Sequence, residues 1–128
     1  MQVSKKMLAL AGVAVVGLAG APAFAHHSFA MFDNQKNVTL EGTVKEFQWT
    51  NPHSWIQLVV KDPATGKEVE YSIEGGSPNG LSRSGWKRTS LKPGDKAVAV
   101  IHPLKDGTNG GSLVSVSVGG VQIGGARS

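Results

Sequence analysis

From Val38 onward, hydrophobic and polar side chains alternate with a period of two. Val38, Leu40, Gly42 and Val44 fall on one face of the first such run, and Phe47 and Trp49 continue it on the opposite parity. A phase slip near Lys45–Glu46 is what a β-bulge produces, and bulges bend strands into barrels. Thr50-Asn51-Pro52-His53 reads as a turn. Ile56, Leu58 and Val60 alternate on a second strand, and Asp62-Pro63-Ala64-Thr65-Gly66 forms a hairpin loop. Val69, Tyr71 and Ile73 then alternate with Glu68, Glu70, Ser72 and Glu74, which predicts a strand with one wet face.

The period breaks at Gly75-Gly76. Ser77 suits an N-cap with Pro78 at the first helical position, so a short helix ending at Gly85 is predicted, with Leu81 and Trp86 as its buried contacts. A strand over Lys96–His102 and a last strand over Leu113–Val118 follow, the latter with Val114, Val116 and Val118 inward. The order β-β-β-short α-β-β predicts an all-β protein. Its architecture is a small five-stranded OB-like Greek-key barrel, with one short helix between strands 3 and 4. A small sandwich or another β-barrel is the alternative, because periodicity defines strands but not their pairing.

Residues 1–25 do not belong to that pattern. Lys5 and Lys6 precede an uncharged apolar run, and Ala23-Phe24-Ala25 has the form of a leader-peptidase site. This predicts a cleaved secretory signal peptide over 1–25 and a mature chain beginning at His26 in the periplasm or outside the cell. The apolar run is too short for a spanning helix. Residues 26–37 read as an N-terminal arm lying on the domain, 38–120 as the barrel, and 121–128 as a flexible tail.

The 128-residue chain carries a formal charge of +4, and removal of Lys5 and Lys6 leaves +2. That is weak attraction for phosphate, so nucleic acid is not an expected partner. With no cysteine, disulfides, thiolate nucleophiles and cysteine-based metal sites are excluded. No nucleophile-elbow or zinc-hydrolase signature is present, and a non-enzymatic binding module is predicted.

The histidines carry the sharpest candidate chemistry. Cleavage after Ala25 would give His26 a free α-amine beside its imidazole, a natural chelate. A second imidazole would complete a nitrogen-rich set suited to Cu(II). His53, in the turn between strands 1 and 2, and His102, at the end of strand 4, would converge in an OB barrel, where loops 1–2 and 4–5 share one end. The 12-residue arm can span about 40 Å when extended. Candidate metal ligands are therefore His26, His53 and His102, with Cu(II) as the candidate cofactor. Trp49, Asn51, Trp55 and His27 are candidate ligand-binding neighbours, the indoles being suited to stacking or to a cation. Equally open at this level is an envelope protein-interaction or assembly domain without metal. Oligosaccharide binding is a weaker alternative.

The segments AHHSFAMFD, VTLEGTVKEFQWTNPHSWI, SIEGGSPNGLSRSGWKR and LKPGDKAVAVIHPLKDGTNGGSL together resemble a family of small exported bacterial proteins of unknown function. The resemblance implies an exported single domain and assigns no activity. At the level of fold alone, the predicted barrel is similar to small periplasmic OB-fold proteins that include copper chaperones. Those use methionine ligands, whereas Met31 is the only methionine after Ala25, so a nitrogen-rich Cu(II) site is the better match.

Overall fold

The computed structural model describes residues 29–124. Strands β1 (Val38–Gln48), β2 (Trp55–Lys61) and β3 (Glu68–Glu74) form an antiparallel meander. Helix α1 (Pro78–Arg83) follows, then β4 (Lys96–Pro103), β5 (Gly110–Val118) and a two-residue β6 (Val121–Gln122). β1 is shared: Val38–Thr43 pair with β4, while Gly42–Gln48 pair with β2. β4 pairs with β5, and β3 meets the start of β5 in parallel through Ser72–Glu74 and Gly110–Ser112. That parallel seam closes a five-stranded barrel with OB connectivity.

The period-two pattern explains the core. Leu40, Val44, Ile56, Leu58, Ile73, Ile101 and Val116 point inward and are buried. The register of β1 shifts between Val44 and Glu46, so Lys45 is the extra residue and Phe47 returns to the interior. There Phe47 packs edge-on to Trp49, ring centres 5.7 Å apart, and 5.8 Å from the buried Trp86. Ser77 caps α1 by accepting a hydrogen bond from the Gly80 N–H, at 3.1 Å. Gly85, at φ 87°, turns the chain toward Trp86.

Three expectations need correction. Val114 faces solvent, because a second bulge lies opposite Val100/Ile101: Leu113 pairs with Ile101 and Ser115 with Val100, leaving Val114 out of the ladder. The described start of the 121–128 tail is paired, with Val121–Gln122 turning back on β5 and the Ile123 N–H donating to the Val116 carbonyl. Glu74, read as part of a wet face, is buried. Its strand parity is outward as expected, but other parts of the chain cover it.

Gly111 sits at a close approach of β5 to β4. A Cβ there would collide with the His102 carbonyl oxygen and lie 2.7 Å from Ile101 Cδ1, so only glycine lets β4 and β5 approach this closely.

Candidate functional site

The loops that follow β1 and β4 lie at one end of the barrel, each bonded to the last part of β3 or the residues just after it. The Ser72 N–H donates to the Asn109 carbonyl in the β4–β5 loop. In the β1–β2 loop, the Ser54 N–H and hydroxyl both donate to the Gly76 carbonyl, at 2.9 and 2.8 Å. The Gly75 N–H donates back to the Ser54 carbonyl at 2.8 Å. Ser54 is buried, so these bonds fix the loop over the end of β3. A Cβ on Gly75 would stand 2.5 Å from Ser54 Oγ.

The loop sets the position of His53. Its Nδ1 lies 3.3 Å from the Gly75 carbonyl oxygen. A carbonyl can only accept, so Nδ1 carries the proton and Nε2 keeps its lone pair in the neutral ring. Nε2 is 3.5 Å from Glu74 Oε1. His102 has the same tautomer for the same reason: Nδ1 lies 2.9 Å from the Lys36 carbonyl oxygen.

Partners in register point to the same face of a sheet. Trp55, Glu74, Ser112 and His102 are successive partners across β2, β3, β5 and β4, so they form one row on the outer wall. Glu74 and His102 are two strand spacings apart, about 10 Å. His53 and Glu74 meet, whereas His102 stands beyond Ser112. Among the described residues, no group of three or more His, Asp or Glu side chains could hold a metal ion. His26 and His27 lie outside the described residues.

The arm crosses this row. After a 3-10 turn at Phe29–Met31, Phe32 bridges Leu104 and is buried. The Lys105 N–H donates to the Met31 carbonyl at 2.9 Å, and the Asp33 N–H to the Pro103 carbonyl at 2.8 Å. Beneath the arm is a cavity of about 110 Å³ lined by Met31, Phe32, Trp55, Glu74, Leu104 and Asn109, among others. Its walls are almost wholly apolar. Glu74 is 8 % exposed, and its Oε2 has no hydrogen-bond partner among the described residues.

The two tryptophans on either side of the β1–β2 turn therefore divide. Trp49 packs with Phe47 against the core, while Trp55 lines the cavity. Asn51 is exposed in the turn, preceding a cis peptide bond to Pro52. A wider groove of about 870 Å³ lies elsewhere, over residues that include Glu41, Lys45, Lys61, Glu68 and Lys96. It is open to water and mixed in charge, and Lys45 is already paired with Glu70 at 2.8 Å. The smaller cavity, with a buried carboxylate oxygen that has no hydrogen-bond partner among the described residues, is the stronger binding candidate.

Glu74 is the site residue that sequence reasoning missed. The usable signal was the apolar run Phe29-Ala30-Met31-Phe32 in the arm, with a second apolar residue, Leu104, just after the end of β4.

No curated protein sequence matches the chain. Among solved structures, it is similar to the mitochondrial single-stranded DNA-binding protein Rim1 of S. cerevisiae. Identity is 12 %, the TM-score is 0.48, and the match covers 70 % of this chain and 97 % of that one. A family model matches residues 13–113, and the chain belongs to that family, a family of unknown function (DUF6152).

Proposed function

We propose that the protein is an exported, non-enzymatic binding module that holds one Cu(II) ion at the end of the barrel bearing His53. The mature amino terminus would supply the remaining nitrogens. The observation that carries this reading is the setting of His53. A backbone carbonyl holds Nδ1, so the lone pair of Nε2 is free to bind, and a carboxylate lies beside it. Histidine ligands are commonly oriented in this way, with the second ring nitrogen donating to a carbonyl.

Leader cleavage after Ala25 would leave the α-amine and imidazole of His26 five positions before Met31, within about 18 Å of it along the chain. Met31 lines the cavity next to Glu74. Amine, imidazole and His53 Nε2 make a three-nitrogen set of the kind Cu(II) favours. His53 is preferred to His102 because His102 stands farther along the row, with its ring on the arm at Lys36.

The test is Cu(II) titration followed by electron paramagnetic resonance, on protein whose first residue is verified by mass as His26. A variant with one extra residue before His26 runs in parallel. One tight equivalent with nitrogen couplings, lost in the extended variant, is expected. Weak binding indifferent to the extension would refute the copper reading.

A second reading, docking of an envelope protein, draws on a different observation. β6 ends the sheet, and Val114 and Val121 are 47 % and 70 % exposed on β5 and β6. Partner binding that survives removal of the histidines would favour it.

A further inference from the structure

We propose that the connection between α1 and β4 is a basic docking surface for an anionic phospholipid bilayer, which it meets through Arg83, Lys87, Arg88 and Lys92. This surface shares no residue with the copper site proposed above. Between Glu74 and Asp95 the chain carries these four cations and no acidic residue. All four are exposed, and among the described residues none is in an ion pair. Every other lysine among the described residues adjoins an acidic residue in sequence, except Lys36, which is ion-paired with Asp33 at 3.6 Å. Of the acids that bound the segment, Glu74 is buried, and Asp95 is turned back on its own turn, where its Oδ2 accepts from the Lys92 N–H at 2.9 Å. Positive charge is therefore segregated here and interleaved elsewhere.

The segment is held in place. Arg83 ends α1, and just beyond it the Gly85 and Trp86 N–H groups donate to the Ser82 and Leu81 carbonyls. The Lys87 N–H donates to Ser90 Oγ at 2.8 Å and the Ser90 N–H to the Lys87 carbonyl at 2.9 Å. That turn keeps residues 87–90 within about 7 Å, and the buried Trp86 and Leu91 anchor it on both sides. The Gly94 N–H donates to the Val44 carbonyl and ties the segment to β1. The cations are thus gathered before a partner arrives, and little backbone freedom is lost on docking. Leu81, Trp86 and Leu91 all pack on the core, so the surface presents charge without an aromatic or aliphatic anchor. Protein interfaces draw most of their energy from such anchors. An anionic bilayer needs none, because each Lys or Arg near it raises affinity roughly fivefold by charge alone.

The experiment sediments the mature chain, mass-verified at His26, with vesicles of phosphatidylcholine alone or mixed with phosphatidylglycerol. Wild type is compared with Lys87→Gln/Arg88→Gln/Lys92→Gln and with Lys61→Gln/Lys67→Gln/Lys105→Gln, which removes the same charge where acids adjoin it. Wild type should bind only the vesicles with phosphatidylglycerol and release them as salt is raised. The first triple variant should lose affinity about a hundredfold, Arg83→Gln alone about fivefold, and the second triple variant less than about tenfold. All should melt with the wild type, because the substituted side chains make no bond among the described residues. A wild type that binds neither vesicle, or both alike, would overturn the proposal, and so would equal losses in the two triple variants. Tighter binding of soluble polyglutamate than of the vesicles, at matched charge, would overturn it in favour of an acidic protein partner.

Discussion

Phe32→Ala should free the arm without unfolding the barrel. Phe32 is 7 % exposed, and burying such a side chain contributes about 2–3 kcal/mol. The arm's other holds include the Asp33–Pro103, Lys105–Met31 and His102–Lys36 hydrogen bonds, each worth about 1 kcal/mol net. Against them stands the entropy of ordering the arm, about 1 kcal/mol or more for each residue. The balance is narrow, and Phe32 is its largest favourable entry. Losing 2–3 kcal/mol from a local opening multiplies the open population by about 30- to 150-fold, since each 1.4 kcal/mol is a factor of ten. Hydrogen exchange read residue by residue is the assay. The Lys105 and Asp33 amides should lose about that factor of protection, while the amides pairing β1 with β2 keep theirs. If Phe32 were instead part of the barrel core, the same energy would lower the melting temperature by about 8–24 °C. A uniform loss of protection with a fall of that size would refute the reasoning, and so would no change at Lys105.

Two further outcomes are expected. Gly111→Ala should destabilise the whole domain by about 2 kcal/mol and lower the melting temperature by about 10 °C, because the added methyl meets the His102 carbonyl and Ile101; an unchanged circular-dichroism melt would mean that β4 and β5 pack less tightly than described. The Thr108 hydroxyl, at 2.7 Å, and then its N–H, at 2.9 Å, hold the Asp106 carboxyl below the usual aspartate range. Its contribution is therefore present above the ordinary aspartate pKa and is lost as pH falls through the lowered one. Carbon-13 titration should show Asp106 ionising early and Thr108→Val moving it back up.

Much of the barrel was legible because burial on one face imposes alternation. The parity switch between Val44 and Phe47 marked the first bulge. The second was hidden, since Leu113 and Val114 are both apolar and either could point inward; pairing with Ile101 decided it. The site was half legible. Topology alone brings the loop of His53 to the end of the barrel where β4 and β5 connect. The partner of His53 was not legible, because Glu74 follows the outward parity of Glu68 and Glu70. What distinguishes it is cover from Phe32, far away in sequence, and such contacts leave no period. Trp49 and Trp55 looked equivalent on either side of one turn. The bulge at Lys45 sends one to the core and leaves the other on the outer wall.

The seam between β3 and β5 has a consequence for how the protein acquires its working end. The hairpins β1–β2 and β2–β3 join neighbours in sequence and can form early. The seam joins Ser72–Glu74 to Gly110–Ser112 through only three residue pairs, across the helix and all of β4, so its closure entropy falls late. Glu74 is one of those residues. Until the seam shuts and the arm crosses it, the carboxylate stands in open water on a strand edge. Ring closure therefore comes before assembly of the site, and a chain that has folded its hairpins but not joined their ends has no site to offer.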